Sequence, residues 1–134
     1  MARFGLAYAG AAIAMLTLDV IWLSTAAPLL YRPQLGGLLA DDFRAGPAAA
    51  FYTLYLFGVV YFAVAPALNA GGWRKAALNG ALFGLVAYGT YDLTNQATLV
   101  HWPVMVTAID LIWGSFLTGV SALAAYGVVR RFSS

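Results

Sequence analysis

Four apolar runs of about twenty residues each leave this chain few structures to choose from, because a hydrocarbon core about 30 Å thick asks for helices of that length. They fall at residues 4–26, 47–68, 76–97 and 103–129. In lipid every backbone N–H and C=O has to find its partner inside the chain, so each run reads as a helix. Of the 134 residues 63% are hydrophobic and 9% charged, where a water-soluble domain carries roughly a quarter charged. So short a chain cannot bury that much apolar surface in water. The sequence predicts an all-α polytopic membrane protein, one domain over residues 1–134 with four transmembrane helices in an antiparallel bundle.

The breaks between the runs carry their own signals. Asn69-Ala70-Gly71-Gly72 is a turn, and Trp73, Arg74 and Lys75 after it suit an interface anchor. Pro47 and Pro103 stand where helices begin, at positions that tolerate a missing N–H. Arg3, Arg74, Lys75, Arg130 and Arg131 fall on one side, whereas Arg32 and Arg44 on the other are accompanied by Asp41 and Asp42. The excess of basic residues places both termini in the cytoplasm. Leu29 to Phe43 is then an outer loop, Leu-rich enough for a short interfacial helix. A competing reading makes residues 1–27 a signal peptide, but Asp19 and Trp22 interrupt its apolar region. Gly80 and Gly84, preceded by Ala76, form a small-residue stripe, and Gly10 with Ala14 forms another; both suit close helix packing.

Three of the five acids, Asp19, Asp92 and Asp110, lie within the runs, and no Lys or Arg does. A carboxylate in hydrocarbon costs at least about 2.5 to 3.5 kcal/mol, so such residues face the bundle interior and mark function. At a rise of about 1.5 Å per residue, Asp19 lies about 22 Å, Asp92 about 24 Å and Asp110 about 20 Å from the cytoplasmic boundary. They share one level in the outer third. Tyr52 and Tyr55 from the second helix and Tyr88 and Tyr91 from the third reach a similar level. Tyr88, Asp92 and Asn95 share one face of the third helix, and Thr107, Asp110 and Gly114 one face of the fourth. Trp22 and Trp113, each three residues after an Asp, are expected to line the packed interior. The strings Asp19-Val20-Ile21-Trp22-Leu23-Ser24 and Asp110-Leu111-Ile112-Trp113-Gly114-Ser115 match and run in opposite directions, a weak hint of an inverted repeat.

Without a basic partner three such carboxyls cannot all stay ionised. They share protons, capture a guest, or pair with Arg32 or Arg44 dipping from the outer loop. The blander reading makes them interhelical hydrogen-bond glue, at about 0.6 kcal/mol each. His101 in the last outer loop is either simply solvated or a proton relay beside the acids. No cofactor and no metal site is expected: there is no cysteine, one histidine and no lysine inside a run, which sets aside zinc, bis-histidine haem and a Schiff base. P-loop, GxSxG and dinucleotide glycine motifs are missing, and no basic-aromatic pattern suggests nucleic acid.

Tyr91-Asp92-Leu93-Thr94-Asn95-Gln96-Ala97-Thr98-Leu99, followed by Trp102-Pro103, Thr107, Asp110 and Trp113-Gly114, resembles the family of predicted bacterial membrane proteins known as domain of unknown function 2177. Asp19 and Trp22 are similar too, and the likeness covers most of the chain. The resemblance implies a bacterial inner-membrane location and marks the string around Asp92 and Asp110 as the family's signature. It implies no activity. Three functions fit the residues. The leading one is a non-enzymatic binding or accessory bundle with an outer-leaflet polar pocket for a small polar or lipid ligand. The others are a small carrier or channel for protons, cations or a solute, which four short helices would build as a homo-oligomer, and a lipid-modifying enzyme with Asp92 and Asp110 as its acid and base.

Overall fold

Helices account for nearly all of the computed structural model, which describes residues 2–133. In chain order they are α1 (Ala2–Ala26), a π-helical turn (Ala27–Tyr31), α2 (Arg32–Leu35) and a 3-10 turn (Gly36–Leu38); then α3 (Ala45–Gly58), a π-helical stretch (Val59–Val64) and α4 (Ala65–Asn69); then α5 (Gly72–Thr98) and α6 (Val104–Phe132). No strand occurs among the described residues. Three runs, Ala2–Leu38, Ala45–Asn69 and Val104–Phe132, are long and apolar enough to cross a membrane. The fourth helix, α5, is 27 residues long but spends much of its C-terminal half on Tyr88, Thr90, Tyr91, Asp92, Thr94 and Asn95. Together they form a helical membrane bundle.

Two prolines shape the first two runs. Pro28 lies inside the π turn Ala27–Tyr31, and Pro66 follows the π stretch Val59–Val64. A proline inside a helix donates no hydrogen bond and its ring presses on the carbonyl one turn back, and a locally wider turn relieves both. Just before Pro28, Ser24 and Thr25 donate their hydroxyls to the carbonyls of Val20 (2.5 Å) and Ile21 (3.0 Å), one turn back on the same helix. The short helix expected in an outer loop from Leu29 to Phe43 therefore corresponds to α2, which continues α1 through the wide turn, and the loop shrinks to the residues after Leu38. At the other end of the bundle, Gly71 and Gly72 turn the chain with φ of +108° and +69°, a region open to glycine at little steric cost.

α6 is the helix the others pack around. Leu117, Thr118, Ser121, Ala122 and Ala125 are fully buried on it. α1 runs antiparallel to it, with Gly10 beside Ala125 and Val128 and Asp19 beside Trp113. α5 also runs antiparallel to it, Gly80 against Thr118, Gly119 and Ala122, and Gly84 against Gly114. The Gly80/Gly84 stripe is thus a packing device: small residues let backbones approach where lipid supplies no hydrophobic drive between helices. In the first stripe, Gly10 makes that approach together with the buried Ala7 and Ala11. Ala7, Ala11, Met15, Val59, Ala63, Val64 and Leu117 fill the interior, while Ile13, Val20, Leu54, Leu78, Leu82 and Ile112 point outward. Hydroxyls on the exposed face of α5 are satisfied at home: Thr90, Thr94 and Thr98 donate to the carbonyls of Val86, Thr90 and Thr94. That arrangement lets these three threonines sit on the exposed face of the helix with their hydroxyls paired.

Candidate functional site

Asp19 of α1 draws in two other helices. It accepts from Tyr52 Oη of α3 at 2.6 Å and from Trp113 Nε1 of α6 at 3.3 Å. The Trp113 ring lies flat on Trp22, with centroids 4.4 Å apart and planes within 10°, an offset-stacking distance that adds about 0.5–1.5 kcal/mol beyond area burial. Trp22 donates to Tyr31 Oη at 3.0 Å, and Tyr31 donates onward to Asp110 Oδ1. A connected path therefore runs from Tyr52 through Asp19, Trp113, Trp22 and Tyr31 to Asp110, tying α3, α1 and α6 at one level. The two matching strings meet through equivalent residues: their tryptophans stack, and each aspartate accepts from one tyrosine.

The third acid closes the layer from α5. Asp92 has no exposed surface, and neither of its carboxyl oxygens has a hydrogen-bond partner. Asp110 and Trp102 are the polar side chains beside it. Trp102 gives its Nε1–H to Thr107 Oγ1 at 3.1 Å. Asp19 and Asp110 are 6% and 7% exposed, so all three carboxyls are held inside protein, as the cost of a carboxylate in hydrocarbon demands.

Other expected residues take different places. Tyr55 and Tyr88 sit further along α6: Tyr55 Oη pairs with Thr118 Oγ1 at 2.7 Å, its ring stacks on Phe83 at 5.1 Å, and Tyr88 meets it edge-on and covers Gly114. They support the layer from beneath. Asn95 is half-buried beside Tyr91. His101 is exposed. The donor reaching Asp110 is Tyr31, while Arg32 and Arg44 stay exposed.

A cleft of about 550 Å³ opens above the layer. Tyr31, Trp102 and Asp110 form its floor, Leu23, Leu35 and Leu39 an apolar wall, and Arg32 and Arg44 stand at its mouth with Asp41 and Asp42. His101 lies outside it. A wider groove of about 640 Å³ between α5 and α6 is lined by side chains such as Leu78, Leu85, Ile112 and Phe116. Its lining hydroxyl, on Ser115, is spent on the carbonyl of Ala81, so the chemistry lies in the smaller cleft.

Tyr31 is the member of the layer that helical periodicity does not reveal. Residues nine apart face opposite ways on an unbroken α-helix, yet Trp22 and Tyr31 are hydrogen-bonded across that separation. The wide turn around Pro28 brings Tyr31 round, so a proline inside an apolar run is the signal that points to it. Trp102 and Tyr91, which line the cleft, stand within the signature string, Tyr91 expected near the layer by its depth and Trp102 as an interface residue. The two ends of the layer differ chemically. Asp19 is saturated by donors and works as a joint, whereas Asp110 has Tyr31 on one oxygen and faces an open cleft with the unpartnered Asp92 beside it.

No curated protein and no solved structure matches the chain. A family model described as Predicted membrane protein (DUF2177) matches residues 4–127, a span that contains every residue of the layer. The chain belongs to the DUF2177 family of predicted membrane proteins.

Proposed function

We propose that this protein is a membrane-embedded binding bundle that holds an amphipathic guest in the cleft above Asp110. One observation carries the reading: the interhelical path of hydrogen bonds and stacked indoles ends on an acid that lines an open cleft with apolar walls. Concave sites with apolar walls and a few convergent polar groups are the usual form of a ligand pocket. α5 is the fourth span in this reading, since its glycines lock it to α6 and its threonines satisfy themselves. The excess of Arg and Lys near Arg3, Arg74 and Arg130 puts both termini in the cytoplasm and the cleft on the outer side of a bacterial inner membrane.

One variant tests site and orientation together. The chain has no cysteine, and Leu39 lines the cleft. Leu39→Cys is expected to react in intact cells with a bulky, membrane-impermeant maleimide, and the labelled protein, once purified, to retain less co-purifying phospholipid than the unlabelled variant. Labelling only after permeabilisation sinks the orientation, and unchanged retention sinks the cleft as the binding site.

A further inference from the structure

The cleft has a definite polarity. Its lining holds Asp41, Asp42 and Asp110 against Arg32 and Arg44, and the buried Asp92 behind Asp110 and Trp102 adds another acid. The acids and arginines are also unevenly placed. Asp110 is at the floor and 7% exposed, while Arg32 and Arg44 are exposed at the mouth. A guest filling the cleft therefore meets the Asp110 carboxyl deep and, at the mouth, two arginines interleaved with Asp41 and Asp42.

The floor is specific about the kind of cation. Tyr31 occupies Asp110 Oδ1, and the Asp110 carboxyl lines the cleft while Asp92 is sealed behind it with no exposed surface. A nearly buried carboxyl with a single donor is under-satisfied, and hydrogen-bond donors from a guest at Asp110 remove that cost. A primary ammonium brings three N–H donors; a quaternary ammonium brings none. Beside the acids, Tyr91 and Trp102 stand edge to face, with centroids 5.7 Å apart and planes at 86°. Tyr91 and Trp102 both line the cleft, and aromatic faces attract a cation within about 6 Å. On the opposite side Leu23, Leu35 and Leu39 accept hydrocarbon, and the mouth arginines match a phosphate.

We infer that the guest is a phospholipid with a primary-amine head group of the phosphoethanolamine type, its ammonium at Asp110 beside Tyr91 and Trp102, its phosphate at Arg32 and Arg44. This rests on the binding reading above and names its ligand class.

The test is lipid competition on the full chain in detergent, read by native mass spectrometry. Phosphatidylethanolamine, phosphatidylcholine and phosphatidic acid with identical acyl chains are supplied in equal amounts. The ethanolamine lipid is expected to be retained about tenfold over each of the others, the scale set by a single charge-assisted hydrogen bond. Asp110→Asn, which still accepts from Tyr31, is expected to bring that ratio close to parity. Tyr91 is 59% exposed and outside the core, so Tyr91→Leu checks the aromatic contribution in a chain that still folds, with several-fold weaker preference expected. Equal retention of all three lipids, or a preference that survives both variants, overturns the ammonium assignment and leaves a binding bundle. Phosphatidic acid matching the ethanolamine lipid shows the arginines alone reading phosphate and overturns it too. Retention of no lipid overturns the assignment together with the binding reading.

Discussion

Gly84→Val is expected to prevent the bundle from forming. A Cβ at Gly84 would overlap the carbonyl of Gly114 and come within 2.7 Å of Thr118 Oγ1. The first obstacle is backbone and cannot swing away. The second is the hydroxyl that pairs with Tyr55, so displacing it also strands a buried phenol. Overpacking a filled interior costs about 1–3 kcal/mol where side chains can yield, and more where they cannot. Here the cost exceeds about 3 kcal/mol, a large share of the roughly 5–15 kcal/mol that keeps a typical protein folded. Gly37 has nothing within 4 Å of an added Cβ, so Gly37→Val controls for valine itself. Thermal unfolding in detergent followed by near-ultraviolet circular dichroism should show a cooperative transition for the Gly37 variant and none for the Gly84 variant. A Gly84→Val protein melting like the parent would mean that α5 does not lie on α6 at this distance.

The second large effect is one substitution that moves two measurements in opposite directions. Asp19→Leu removes a carboxyl from α1, which makes insertion of that helix easier by about 2.5–3.5 kcal/mol. The same change takes the acceptor away from Tyr52 and Trp113. Interhelical hydrogen bonds in membranes average about 0.6 kcal/mol and reach about 1.7, so removing two lowers bundle stability by about 1–3 kcal/mol. Insertion of α1, read with a glycosylation reporter, should therefore rise while the unfolding midpoint of the assembled bundle falls. If both rise, Asp19 is not a joint between helices and the path from Tyr52 to Asp110 is broken at its second member.

Much of this is legible in the residues because it depends on length, depth and residue type. The membrane class follows from the apolar runs, and counting residues at a fixed rise already sets Asp92 near Asp110, which stand side by side, and Asp19 near that level, where it accepts from Trp113. Trp22 and Trp113 belong inside by their distance from the helix ends, and they stack there. Periodicity fails where the backbone leaves the α-helix. Pro28 widens the turn at Ala27–Tyr31, so α1 continues into what reads as an outer loop and Tyr31 arrives at Asp110 in place of an arginine. Partner identity is equally hidden in a one-dimensional pattern. Nothing in the spacing of Tyr88, Asp92 and Asn95 says that Asp92 is left without a donor while Asp19 receives two. Those differences arise from which side chains neighbouring helices deliver, and they separate the end of the layer saturated by donors from the end that opens on the cleft.

The central claim is that α1 and α6 bring their acids to one level through the Trp22–Trp113 stack. Two indoles 4.4 Å apart and nearly parallel couple their electronic transitions, giving paired circular-dichroism bands of opposite sign that a single indole cannot produce. The folded protein is expected to show this couplet, Trp22→Phe and Trp113→Phe each to abolish it, and Trp73→Phe, at the far end of the bundle, to leave it intact. A native spectrum without the couplet, or one that survives loss of either stacked tryptophan, would contradict the account.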